Sequence, residues 1–274
     1  MRKTATVVAT VALAACSLFK AEDLPARPIE AAQCRADIVL PHVSTELDGT
    51  HTPFISALAL LNTSGDPGPN TVTLCAYTTD GTFLGGGAVD LAPNQRIYAT
   101  TSPPSPGTVS LSALVNNAIL GERPFQLHLG VTKPIAPMVG FAGNKGQLIA
   151  LYQPVQRCET GNCSNTAASL HFAHLGHTGG IDSVIYIANP SVTKSQPVDV
   201  IFRSDNGQIL KTVGTRTLAP ASRIAIDALQ FVNDFGSVSI TTPDGGSVAA
   251  VAAVVYQNGA LGGSDAAMVT PTTP

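Results

Sequence analysis

The frame Leu-Ala-Pro-x-x-Arg-Ile occurs twice, at Leu91–Ile97 and again at Leu218–Ile224, more than a hundred residues later. The text around both copies runs in the same order. Each copy follows an alternating apolar stretch ending at Asn (Asn62, Asn189), a proline-containing loop, a second alternating stretch, and Asp80-Gly81 or Asn206-Gly207. Downstream, SALVNN matches DALQFVND, FQLHLGVTKP matches GSVSITTPDG, and PMVGFAGNKG matches VAAVVYQNG. Upstream, Cys34 precedes His42 by eight residues and Cys163 precedes His171 by eight, which pairs His42 with His171. A colinear series of strand and turn signals predicts a chain built by duplication.

Each unit then holds about seven short strands in about 110 residues, with turn signals every 8–12 residues, the pattern of an antiparallel sandwich. The predicted fold class is all-β, two tandem antiparallel β-sandwiches. In TVTLCAY, Val72, Leu74 and Ala76 share one face; in PVDVIFR, Val198, Val200 and Phe202 share the equivalent face. Period two makes these the inward rows, so Cys75 and its counterpart Ile201 point outward. Pro93 and Pro220 have no N–H to give a ladder and belong between strands. Arg96 and Arg223 are then expected to point outward, and Ile97 and Ile224 to return to the core. Only 12% of residues are charged and Trp is absent, a balance that suits short strands and turns more than helical bundles.

Over residues 37–272 the order strand, Asn, strand, Asp/Asn-Gly, strand, Leu-x-Pro-x-x-Arg resembles the immunoglobulin-like and fibronectin-type-III-like modules of bacterial exported proteins. The Cys-Trp-Cys arrangement of antibody domains is absent, which separates these units from true immunoglobulin domains. The resemblance implies adhesion, scaffolding or ligand display.

At the other end, Arg2 and Lys3 precede an apolar run from Thr4 to Ala15, shorter than the roughly 20 residues of a membrane span. It reads as a secretory signal peptide, residues 1–15. The run closes in Leu-Ala-Ala-Cys, which resembles the lipobox of bacterial lipoproteins. That resemblance implies acyl chains on Cys16 and a protein anchored to the membrane through its N-terminal lipid. Ser17 after the cysteine is similar to the outer-membrane sorting signal, so the expected location is the bacterial cell envelope. Residues 16–36 are expected to form a lipidated tether. A first module follows at 37–155, a disulfide-loop linker at 156–163 and a second module at 164–272, with a disordered TPTTP tail. Without residues 1–15 the charge is near −5, from 13 basic and 18 acidic residues. With no basic cluster, nucleic acid is not an expected partner; an envelope protein or glycan is.

Four cysteines remain, Cys34, Cys75, Cys158 and Cys163, an even number in an exported chain. They allow three pairings. CETGNC is the shortest loop, so Cys158–Cys163 is the easiest bridge, leaving Cys34–Cys75. In the loop-entropy account these stabilise by roughly 2 and roughly 4 kcal/mol.

The one constellation with metal-ligand character is HFAHLGH, His171, His174 and His177, with Asp182 nearby. On a strand His171 and His174 take opposite faces, so a site requires a bend at Gly176; otherwise these histidines are surface and loop residues. The first unit offers His42, Glu46, Asp48 and His51 at a different spacing. The Asp-Gly and Asn-Gly pairs are hairpin residues more than calcium ligands. Gly85–Gly87 lacks a P-loop Lys and reads as a bulge or close crossing. No Gly-x-Ser-x-Gly elbow or activated Cys is present. The expected function is therefore non-enzymatic, a lipid-anchored structural or binding protein without a cofactor, with Phe54, Tyr77, Tyr98 and Tyr186 as surface aromatics. A transition-metal site at the histidines is the alternative.

Overall fold

The computed structural model describes residues 26–43, 55–101, 107–118, 120, 124–142, 148–154, 157–159, 162–256 and 265–273. The first half runs β1 (Arg27–Pro28), β2 (Ile38–Val43), β3 (Ile55–Asn62), β4 (Asn70–Thr78), β5 (Phe83–Leu91), β6 (Arg96–Thr100), β7 (Val109–Ser110), a one-turn helix α1 (Leu111–Leu114), β8 (Phe125–Val131), β9 (Ile135–Ala142) and β10 (Leu148–Tyr152). A hairpin of β11 (Arg157–Glu159) and β12 (Asn162–Ser164) follows. The second half holds β13 (Ser169–Gly176), β14 (Ile181–Ala188), β15 (Gln196–Ser204), β16 (Ile209–Thr212), β17 (Arg216–Leu218), β18 (Arg223–Asp227), β19 (Phe235–Thr241), β20 (Ala249–Tyr256) and β21 (Asp265–Val269).

Two sandwiches result. In module 1 the first sheet has the order β1-β5-β4-β8-β2 and the second β10-β9-β3-β6-β7. In module 2 the third sheet runs β16-β15-β19-β13, with β17 also on β15, and the fourth β18-β14-β20-β21. The two modules thus repeat one strand order. β3 pairs with β6 and β4 with β8, as B–E and C–F pair in immunoglobulin sandwiches. The outer positions differ: β2, first in its module, lies beside β8, and β9 lies beside β3.

The alternation dictates the cores. Val72, Leu74 and Ala76 are buried in one cluster, and Val198, Val200 and Phe202 in another. The duplication extends to hydrogen bonds. Asn62 ends β3 and donates through Nδ2 to the carbonyls of Leu91 and Ala92, both at 3.0 Å. Asn189 directly follows β14 and donates to the carbonyls of Leu218 and Ala219 at 3.4 and 2.9 Å. Each Asn also accepts, through Oδ1, from the N–H two residues on, Ser64 at 3.1 Å and Ser191 at 2.9 Å. The repeated Leu-Ala-Pro corner is therefore strapped to the preceding strand end by a buried amide. The Ala92 and Ala219 carbonyls also accept inside the turn, from Gln95 N at 2.9 Å and Ser222 N at 3.1 Å, so the Asn amide adds a second donor there.

The Gly85–Gly87 run is a close crossing. A Cβ on Gly85 or Gly87 would lie 2.4 Å from the Val115 carbonyl oxygen or 2.1 Å from that of Leu114. Bare backbone on β5 is what lets the α1 turn lie flat against it.

Several expectations are corrected. Residues 26–36 are not a free tether: β1 adds to the edge of β5, Ile29 N donates to Gly86 O at 3.1 Å, and Cys34 is bonded to Cys75. The tail is docked at Thr272, whose N–H and carbonyl both bond His171 at 2.8 Å. Strand register sets His42 against His174, not His171. Both β2 and β13 bulge, between Leu40 and Val43 and between Phe172 and Leu175, and the two histidines occupy matching bulge positions. The bulge is common to both strands; the mismatch arises before them, because the stretch from Cys163 to His174 is three residues longer than that from Cys34 to His42.

Candidate functional site

The histidines of HFAHLGH are separated by the fold. His171 lies on the outer face of the third sheet, its ring within 3.1 Å of both Ser169 Oγ and Ser239 Oγ. His174, exposed on the bulge, stacks on Phe235 with ring centroids 4.9 Å apart. His177 lies past the strand end, 3.5 Å from Asp182. Three neighbouring residues thus have three different environments. Among the described residues no group of three His, Cys, Asp or Glu side chains is arranged to hold a metal.

Asp182 belongs to a different cluster. Its Oδ1 accepts from Ser183 N at 2.7 Å and from Leu229 N at 3.2 Å, and Asp227 accepts from the same Leu229 N–H at 3.1 Å. Burial, then a hydrogen bond and like charge from Asp227, push the Asp182 carboxyl up to about 6, against the Ser183 N–H and His177, which favour the anion. The pair fastens the start of β14 to the turn after β18.

The more extensive polar assembly is the seam between modules. The outer face of the fourth sheet is not open: Val184, Tyr186, Val251 and Ala253 continue the buried cluster of module 1. His42 stacks on Tyr186 with centroids 4.1 Å apart, and the Arg223 guanidinium lies 4.9 Å above the same ring. The Tyr152 hydroxyl donates to His42 O at 2.9 Å. At the edge strand β2, Asn165 acts as a strand partner, accepting from Val39 N at 2.8 Å and donating to Val39 O at 2.5 Å. The second copy of the repeated corner completes the contact. Arg223 N donates to Thr79 O at 2.9 Å, and Gln126 Nε2 donates to Ala221 O.

Ala221 carries the clearest sign of this role. Its φ is +49°, as φ is +60° at the matching Asn94. Asn visits this left-handed conformation readily, whereas for Ala it costs roughly 1–2 kcal/mol. In module 1 the position is exposed; in module 2 it is 2% exposed and packs on Cys75 and Tyr77. A small side chain fits there at the expense of backbone preference.

Beneath this corner the outer face of the first sheet holds Tyr77, Gln126 and His128. The rings of Tyr77 and His128 lie 4.7 Å apart. Neither nitrogen of His128 nor the Tyr77 hydroxyl meets a hydrogen-bond partner among the described residues. Burial holds the His128 imidazole down at about 4 and pushes the Tyr77 phenol up to about 12.

Several expected surface residues therefore lie in the seam. Tyr77 and Tyr186 are 3% and 0% exposed, and Arg223 is 4% exposed where an outward side chain was expected. Tyr98 is partly exposed, with Arg96 over its ring at 5.4 Å. Cys75 does lie on the outer face, buried by its bridge to Cys34 and by module 2. Cys158 and Cys163 are directly opposed in the β11–β12 hairpin; their side chains are outside the described set. Cys16, Glu46, Asp48, His51 and Phe54 lie outside the described residues. Sequence reasoning missed Asn165 and the corner-strapping Asn62 and Asn189. The Asn-x-Ser at the end of both β3 and β14 was the available signal for the latter pair.

No protein-family model matches the chain and no curated protein matches it. Among solved structures, the exo-chitosanase CsxA of Amycolatopsis orientalis in complex with PNP-β-D-glucosamine aligns at 11% identity and a TM-score of 0.17, over 78% of this chain and 25% of that one. A second structure of that exo-chitosanase aligns at 10% identity and a TM-score of 0.15, over 91% and 27%. The chain spans about a quarter of those proteins. A likeness this slight carries no argument about chemistry.

Proposed function

We propose that the chain is a non-enzymatic, lipid-anchored protein of the bacterial cell envelope, its two sandwiches acting as one structural or binding element for another envelope protein or a glycan. The observation that carries this reading is the seam. Apolar packing, a stacked His42–Tyr186–Arg223 column and reciprocal hydrogen bonds at Val39 hold the modules as one body. Such an element presents its surfaces at fixed spacing. The anchor rests on Leu-Ala-Ala-Cys ending at Cys16. Residues 17–25 reach at most about 30 Å, at roughly 3.5 Å per residue. Force on the lipid would load β1 on the edge of β5 first and then pass through Cys34 into β4, a strand flanked on both sides by neighbours. A bridge across a separation of 41 residues stabilises by about 4 kcal/mol in the chain-entropy account.

The test is metabolic labelling with an alkyne-tagged fatty acid, followed by membrane fractionation. The expected result is labelled, membrane-bound wild type and unlabelled Cys16→Ser released to the soluble fraction. Unlabelled wild type, or Cys16→Ser that stays labelled, overturns the anchor.

A further inference from the structure

The duplication makes one face of the molecule conspicuous. The fourth sheet buries its outer face against module 1. Its counterpart in module 1, the second sheet, has the same strands in the same order plus the short β7, and among the described residues no layer covers its outer face. Register identifies the matching positions. Ala188 and Val251, both 0% exposed in the seam, correspond to Leu61 and Met138, each 36% exposed. Arg223, in the seam, corresponds to Arg96 on the surface.

The receiving side is duplicated too. In module 1 it consists of the bulged edge strand β2, with His42, and the β4–β5 hairpin. A Cβ on Gly81 of that hairpin would lie 2.2 Å from Pro220 O. Phe83 of the same hairpin packs with Tyr77 and Ala221. On the matching surface of module 2, Thr272 takes the place at His171 that Asn165 takes at Val39, and the bulge and hairpin beyond it have no covering module among the described residues. His174 is exposed, Gly207 has nothing within 4 Å of a Cβ, and Ile209, the counterpart of Phe83, is 57% exposed. Both halves of the repeated interface thus carry exposed large aliphatic side chains at the positions the seam uses, Leu61 and Met138 on paired strands of one and Ile209 on the other.

We propose that a second copy of this chain fills them. The second sheet of one copy seats on the β13 edge and β15–β16 hairpin of the next, repeating the geometry by which module 2 seats on module 1. Charge agrees with this occupant. Arg223 N donates to Thr79 O inside the chain; between copies the corresponding residues are Arg96 and Asp205, which carry opposite charges. The contact joins unlike surfaces, so it is heterologous and extends into rings or filaments instead of stopping at a two-fold dimer. The inference goes beyond the binding-element reading by adding a contact between copies of the chain, and it does not depend on the anchor.

The experiment is sedimentation velocity of the full chain carrying Cys16→Ser, so that no acyl chain contributes, across rising concentration. Wild-type surfaces should give species beyond the dimer. Met138→Lys removes one half of the contact and Ile209→Lys the other; each should weaken association on the order of tenfold or more. Both sites are exposed, and unchanged thermal melts confirm folding. The decisive arm is the mixture. Each variant keeps one intact half, so the two together should form heterodimers and nothing larger. A chain that stays monomeric at every concentration overturns the proposal. So does association that survives Ile209→Lys but not Met138→Lys, which would mark a symmetric contact of the second sheet. Labelling at Cys16 is unaffected by either outcome, so failure here and failure of the anchor are read separately.

Discussion

At the scale of single residues, the same side chain acquires different work in the two modules. Asn62 and Asn189 do the same work: each donates to two carbonyls where a strand ends in the Leu-Ala-Pro corner and accepts from the N–H two residues on. Asn62→Ala or Asn189→Ala should each cost about 2–3 kcal/mol in urea unfolding. Asn189→Asp should cost at least as much, because a carboxylate of the same shape has no donor for those carbonyls. Asn94 and Ala221 diverge. Asn94→Ala should cost about 1 kcal/mol, the left-handed penalty alone. Ala221→Asn suits the backbone better yet should cost about 1–3 kcal/mol, because the larger side chain must displace Tyr77 or Cys75. Equal losses at the two sites in a denaturant series would refute that account. His128 sets a pH dependence. Burial holds its folded pKa at about 4, below the ordinary imidazole value of 6.5, so the unfolded chain binds the extra proton first. Its contribution is full above about pH 6.5 and is lost as pH falls towards 4, by up to about 3 kcal/mol. The raised Asp182 acts in the opposite sense between about 6 and 3.8 and offsets part of the slope. His128→Leu should therefore flatten the acid limb of stability against pH, measured by chemical denaturation at successive pH values.

At the scale of elements, β5 shows how composition dictates a crossing. A strand of ordinary side chains would hold the α1 turn several ångströms away. Three glycines remove that barrier, with Gly85 and Gly87 against Leu114 and Val115, and Gly86 against Ile29 and Cys75 Sγ on the other side. Gly87→Ala should destabilise by about 3 kcal/mol, because its Cβ meets backbone that cannot rotate away. Gly65→Ala, with nothing within 4 Å, should change thermal stability by less than about 0.5 kcal/mol. The alternation of β4 and β15 was readable from sequence because period two survives along an unbroken strand. The equivalence of His42 and His174 was not, because the cysteines used as the origin of the count stand at different distances from their strands, and only ladder pairing fixes which residues match.

For the whole molecule, the seam decides cooperativity. The buried cluster of module 1 ends on module 2 residues, so neither sandwich completes its packing alone. Wild type should unfold in one calorimetric transition. Tyr186→Ala removes the ring between His42 and Arg223 and should cost about 3–5 kcal/mol, separating the transition into two. A single transition in this variant would show that the modules are coupled elsewhere.

Sequence alone determined the all-β class, the duplication, the inward rows of each sandwich and the placing of Cys75 on an outer face that calls for a bridge. These follow from local rules: alternation, turn residues and covalent arithmetic act over a few residues and leave their pattern in the text. Tertiary structure decided which outer faces are buried. Alternation marks a side chain as pointing away from its own core, and is silent on whether another module waits there. Tyr77, Tyr186, Cys75 and Arg223 are outward by parity and buried by docking, while their counterparts Arg203, Ala59, Ile201 and Arg96 keep partial or full exposure. Burial of an outer face is a property of two surfaces meeting, and no single strand encodes it.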